Sequence, residues 1–208
     1  MTRAGRALQT EEETSHGTHE MKVLLFVLFL SSLPMAGLAG EGESAGGEEL
    51  IGTPASEWEV TDWFNSEPLR LEDLKGKTVL VRFWTGPFCP YCRASAAALN
   101  EFYETYHDAG LEVVGLYHHK SSTPFDQETV KELAQDFGFE FPVAIDYDWK
   151  TLNRWWLEER PRAWTSVSFL IDREGMIHHI HPGGLYLKGD EDYLKLKAKI
   201  EELLEKKN

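Results

Sequence analysis

The chain has almost no cysteine, only Cys89 and Cys92 among 208 residues. That excludes a disulfide-stapled scaffold, which needs more cysteines at longer spacings. A bridge across two intervening residues constrains the unfolded chain little, so the pair suits redox work or metal binding better than stapling. Positive charge is also short. Lys and Arg number 21 against 35 Asp and Glu, a net charge of −14. Nucleic acid and anionic membrane surfaces are excluded as partners on that count, because both require a basic face. Internal repeats and long low-complexity tracts are absent too. What is present is a hydrophobic content of 42 %, enough for a sizeable core, in a length that suits one domain plus extensions.

Residues 21–39 begin Met21-Lys22, continue through the apolar run Val23–Leu30 and end in the small residues Gly37 and Ala39. This is the pattern of a secretory signal cleaved near Ala39. The apolar run is short against the roughly 20 residues that a membrane span requires; an uncleaved anchor is the alternative, and no span is expected after cleavage. Residues 1–20, acidic at Glu11-Glu12-Glu13, read as an upstream extension before a natural start at Met21. The expected organisation is therefore extension 1–20, signal peptide 21–39, flexible linker 40–57 and one domain over 58–208. Export, to the periplasm or its equivalent, places the cysteines where disulfides persist.

Strand and helix signals alternate along that domain. Thr78–Phe83 is β-branched and apolar, a strand. Leu99, Phe102, Tyr103 and Tyr106 recur at helical spacing, predicting a helix from Pro90 to Ala109, stopped by Gly110. A strand over Glu112–His118, a helix over Thr129–Phe137, a strand over Val143–Asp146 and a helical stretch over Thr151–Leu157 follow. Ser166–Asp172 and Met176–His181 read as a hairpin around Arg173-Glu174-Gly175, and Asp190 caps a last helix. The implied fold class is α/β, a central mixed sheet flanked by helices on both faces.

The cysteine motif is Cys89-Pro90-Tyr91-Cys92, after a strand and at a helix start. Pro90 suits the first helical position, where its missing N–H costs nothing. Cys89 then falls at the N-cap, facing free backbone N–H groups and the positive end of the helix dipole, which favour thiolate. The thiolate is the attacking species in disulfide exchange. Cys92 lies one turn on and can resolve the mixed disulfide that Cys89 forms. The competing chemistry is zinc, with His118, His119, His178, His179 or His181 completing a four-ligand set.

This run resembles the thioredoxin-like family of TlpA and ResA type, exported redoxins. Trp84 and Cys89-Pro90-Tyr91-Cys92 carry the resemblance, with Gly110–Gly115, Phe141–Asp146 and Phe169–Gly175 in support, over residues 58–205. It implies a thioredoxin fold, no bound cofactor or metal, and electron exchange with protein dithiols and disulfides, supplied by a membrane or periplasmic electron donor. Cys89 and Cys92 are the implied catalytic pair, with Trp84, Pro90, Tyr91, Thr165 and Ser166 around them. Three departures stand out. Ser166 occupies the place where the family carries a cis-proline, Pro161 being five residues too early. Arg82 and Ser95 stand near the cysteines where many members have an acid. One extra residue separates Trp84 from Cys89.

Trp155, Trp156 and Trp164 suit either an apolar docking platform or core packing, the latter being favoured. The histidines read as solvent-facing in preference to ligands. The expected function is a thiol–disulfide oxidoreductase acting as a reductant. The alternatives are a peroxiredoxin-like thiol peroxidase, and a copper-binding assembly factor using Cys89, Cys92 and a histidine.

Overall fold

A computed structural model describes residues 46–158, 162 and 164–206. The signal segment, the upstream extension and Pro161 lie outside the described residues. Six strands form one sheet: β1 Thr61–Phe64, β2 Thr78–Trp84, β3 Leu111–Tyr117, β4 Val143–Ile145, β5 Ser168–Ile171 and β6 Ile177–His181. Their order is β1-β4-β3-β2-β5-β6. β2 runs parallel to β3, which runs parallel to β4; β5 is antiparallel to β2, β6 to β5, and β1 to β4. The mixed sheet and the β5–β6 hairpin are as the alternating pattern implied.

β2 and β3 are buried at every position, which is why both read as mainly apolar runs and not as alternating ones. Strand alternation sends Leu80 and Trp84 to one face of the sheet and Val79, Val81 and Phe83 to the other. The first face packs against Leu99 and Phe102 of α1 (Pro90–Tyr106), Val130 and Leu133 of α2 (Gln127–Asp136), and Leu196 and Ile200 of α4 (Glu191–Glu205). Phe102 stacks on Tyr193 of α4 at 5.1 Å between ring centroids. The second face is covered by Trp58, Leu71, Leu74, Trp155 and Trp156. The two tryptophans lie on a π-helical turn, Asn153–Leu157, continuing α3 (Lys150–Leu152).

The cap expected at Asp190 is present: its carboxylate accepts from Tyr193 N–H at 2.7 Å. Asp126, which was not expected as a cap, does the same for α2, accepting from Thr129 N–H at 2.9 Å, so each satisfies an orphan donor of a first turn. α1 ends at Tyr106, three residues short of the expected Ala109, because the last turn tightens before Gly110, whose φ of 105° only glycine adopts without strain.

Two readings need correction. The linker expected over 40–57 is ordered and packed in its second half. Gly52 N–H donates to the Ile177 carbonyl, Ile177 N–H donates to Thr53, and Pro54 bridges Met176. These backbone groups satisfy the free edge of β6, a long-range role that composition does not signal. The strand β1 was not expected either. It is four residues long, carries a bulge and a positive φ at Asp62, and so shows no alternating pattern.

Candidate active site

β2 and β3 end side by side, with Trp84 paired to Tyr117. The chain leaves β2, passes Thr85–Phe88 and enters α1 at the cysteines. Cys89 is the N-cap: its sulfur accepts the Cys92 N–H at 3.1 Å, and Pro90 takes the first helical position. Cys89 and Cys92 are disulfide-bonded, with their Cα atoms 5.3 Å apart. The two sulfurs sit in unlike surroundings. Cys89 is half-buried at the rim, whereas Cys92 is 1 % exposed and joins the core of the α1 face. Thr85 N–H points at the Cys92 sulfur from 3.5 Å.

Cys89 opens onto a cleft of about 340 Å³. Pro90, Tyr91, Thr165 and Ser166 line it, together with Phe88, Lys120 and Trp164. Trp84 stays out of the cleft. It is buried beneath it, edge-on to Tyr117 at 5.0 Å and to Phe139 at 5.3 Å. Ser166 is buried and faces the cysteines, and the peptide before it is trans; among the described residues the single cis bond precedes Pro87. The tryptophan trio divides. Trp155 and Trp156 are core, while Trp164 is 42 % exposed and meets Tyr91 edge-on at 5.0 Å.

The solvent-facing reading of the histidines fails for two of them. His118 and His181 are buried. His118 directly follows β3, its Nε2 sits 2.9 Å from Thr165 Oγ1, and its ring meets Trp149 edge-on. It thus props the cleft wall from behind. Burial, reinforced by the charges of Lys120, His119 and Arg82, pushes its pKa down to about 3. Among the described residues no group of three His, Cys, Asp or Glu converges as a metal would need.

A pH dependence follows from His118. A histidine that is neutral when folded and titrates near 6.5 when unfolded draws protons to the unfolded state, so stability is full above about pH 7 and falls as pH drops toward 3. At pH 5 the loss from this group is on the order of 2 kcal/mol. His181, pushed down to about 4 by burial, adds in the same direction. Urea denaturation at pH 7.5 and pH 5 measures the loss. Replacing His118 by Gln should flatten it; an unchanged acid limb in that variant would assign the effect elsewhere.

Sequence reasoning missed Phe88 and Lys120 as neighbours of Cys89. Phe88 had a signal, since it is a large apolar residue between a proline and the motif, and it is 90 % exposed. Lys120 follows β3 and had none. His118, weighed in the sequence as a zinc ligand, instead supports Thr165. Arg82 and Ser95 registered in the sequence only as a missing acid; the structure buries both.

Residues 51–180 match the family model described as AhpC/TSA. The chain is 32 % identical over 145 residues to the thiol-disulfide oxidoreductase ResA of Bacillus anthracis, covering 70 % of this chain and 77 % of that protein. It is 27 % identical over 197 residues to the protein DipZ of Mycobacterium tuberculosis, covering 93 % of this chain. It spans about a quarter of the DipZ length, 26 %. A solved structure described as a putative thiol:disulfide interchange protein DsbE from Chlorobium tepidum superposes with a TM-score of 0.58 at 24 % identity, over 74 % of this chain and 97 % of that one. That likeness establishes the thioredoxin fold.

Proposed function

The chain belongs to the AhpC/TSA family and groups with its ResA-type thiol-disulfide oxidoreductases, and from that premise we propose that it exchanges electrons with protein cysteines through Cys89 and Cys92, acting as an exported reductant. The observation that carries the reading is the asymmetry of the pair. Cys89 is reachable from the cleft and capped onto a helix N-terminus, where the dipole and the Cys92 N–H favour its thiolate. Cys92 is reachable only from Cys89. In the reduced form, the Cys89 thiolate attacks a partner disulfide, one partner sulfur leaves as thiolate, and a mixed disulfide forms. Cys92 then attacks the Cys89 sulfur, and the second partner sulfur leaves. Two electrons have passed to the partner and the pair is again bonded. The segment over 21–39 directs export in this reading, and an external dithiol donor returns the pair to its reduced form. The apolar rim of Phe88, Tyr91 and Trp164 supplies the contact area for a partner chain, aromatic side chains being favoured at interfaces.

Replacing Cys92 by Ala leaves the first attack intact and removes the second. The variant should hold disulfide-bearing protein substrates, reduced insulin formation being the activity readout, as mixed disulfides on Cys89 that are visible on non-reducing gels. Wild-type chain should reduce insulin with a dithiol donor. Absence of both the trapped species and the reduction would end this reading. Fast catalytic consumption of peroxide, with no insulin reduction, would instead favour the thiol peroxidase alternative.

A further inference from the structure

Arg82 is the one arginine of the buried centre of the sheet, 1 % exposed on β2. It shares a face with Leu80 and Trp84, the face that packs under α1 with Cys92. Burying a charge is costly unless it is well partnered, and here the partners are neutral. Nη1 donates to Ser168 Oγ at 3.2 Å and Nη2 to the Gly184 carbonyl at 2.9 Å. The guanidinium carbon lies 5.2 Å from the centroid of the Tyr186 ring, and Nε has no partner. The buried carboxylates among the described residues are engaged elsewhere. Asp146 accepts from the Thr151 and Leu152 N–H groups, and Glu112 pairs with Lys77. Burial lowers the Arg82 pKa, against which Tyr186 acts, but an arginine starts so far above neutrality that it stays charged.

This charge is wired to the cysteine helix. The Tyr186 N–H donates to Ser95 Oγ at 3.1 Å, and the Tyr186 hydroxyl lies 3.2 Å from Ser168 Oγ. Ser95 is one turn beyond Cys92 on α1, about 5 Å along the axis. Thr85, whose N–H faces the Cys92 sulfur, is three strand residues beyond Arg82, about 10 Å. The side chains that hold the guanidinium thus reach α1 one turn from Cys92. Among the described residues the cleft around Cys89 carries Lys120 and no carboxylate, in a chain of net charge −14.

We propose that Arg82 is a positioning residue for the chemistry of Cys92: a fixed buried cation, held by Ser168, Gly184 and Tyr186, that stabilises the thiolate of the resolving cysteine where no carboxylate stands to take its proton. The proposal rests on the oxidoreductase reading above. In the resolving step the Cys92 thiol releases its proton to solvent. Its thiolate forms the bond to the Cys89 sulfur as the mixed disulfide breaks, and the departing partner thiolate takes up a proton. The pair is oxidised by two electrons and the partner reduced. Because the cation favours the reduced, thiolate-bearing form, it also raises the reduction potential of the pair and makes it a milder reductant.

Two measurements test this. In a Cys89→Ser chain, Cys92 is the sole thiol, and its pKa is read from thiolate absorbance at 240 nm. With Arg82 present that pKa should fall at or below the ordinary cysteine value of about 8.5, despite burial. A pKa well above it overturns the proposal without any change at Arg82. Arg82→Met should raise this pKa by about one unit, and Arg82→Lys should largely restore it. In the two-cysteine chain, at a pH well above the Cys92 pKa of both forms, Arg82→Met should shift the glutathione equilibrium about tenfold toward the disulfide, equivalent to about 30 mV. Folded Arg82→Met protein with unchanged pKa and unchanged equilibrium overturns the inference. A wild-type pair that fails to equilibrate with glutathione at all would overturn the oxidoreductase reading, while the thiol titration would still report on Arg82.

Discussion

Cys89→Ser is expected to abolish thiol–disulfide exchange down to the uncatalysed background while leaving the fold of the reduced protein intact. Serine is itself a favoured N-cap residue, so the hydroxyl can accept the Cys92 N–H that the sulfur now accepts and α1 still begins at Pro90. The loss would then be chemical, since the hydroxyl supplies neither a thiolate nor a disulfide. The remaining thiol at Cys92 is too buried to replace it. Relative to the oxidised wild type, the variant also lacks the constraint of the short disulfide loop, worth about 2 kcal/mol on the chain-entropy account. Relative to the reduced wild type it should be equally stable. Insulin reduction and thermal unfolding of both redox states check the two halves together. Residual exchange near the wild-type rate would move the attacking role to Cys92.

Trp84→Ala carries the largest expected cost in stability. The indole is 1 % exposed and is ringed by Tyr117, Phe137 and Phe139, with centroids at 5.0, 5.5 and 5.3 Å. Its removal leaves a large cavity under the cysteine loop, which the neighbouring Gly115 has no side chain to fill. Truncations of this kind cost about 3–5 kcal/mol, a large share of the roughly 5–15 kcal/mol available to a domain. Trp84→Phe should cost much less. It keeps most of the aromatic contacts, worth about 0.5–1.5 kcal/mol per pair, and sheds an indole N–H that is buried without a partner. Urea denaturation of both variants, in both redox states, measures the difference. A loss below about 1 kcal/mol for the alanine variant would show that the cavity collapses.

Most of the fold and the cysteine pair were legible in the sequence, and the reasons are local. β2 and β3 are mainly β-branched and apolar runs, broken by Arg82 in one and by Glu112 and Gly115 in the other. α1 and α4 begin at the capping residues that the sequence offers, Cys89 and Asp190. The Cys89-Pro90-Tyr91-Cys92 spacing and its position at a helix start placed Cys89 at the N-cap and Cys92 one turn on; that the second sulfur is buried came from the packing of α1. These signals are short in range, so composition and periodicity carry them. The same is true of the acidic balance, which excluded nucleic acid on charge alone.

What only the tertiary structure decided is what meets the pair from far away in the chain. Phe88, Trp164 and Lys120 share a cleft wall because loops after β2, before β5 and after β3 converge at one end of three adjacent central strands. His118 is buried against Thr165, 47 residues on, and residues 52–54 close the edge of β6. Arg82 shows the division most clearly. As a letter in the sequence it marked only the absence of an acid. Its burial on the α1 face, its neutral partners Ser168, Gly184 and Tyr186, and the route through Ser95 to the cysteine helix arise from the packing of four separate segments. A residue's charge is written in the sequence. The solvent exclusion that determines what that charge does exists only once those segments are packed together.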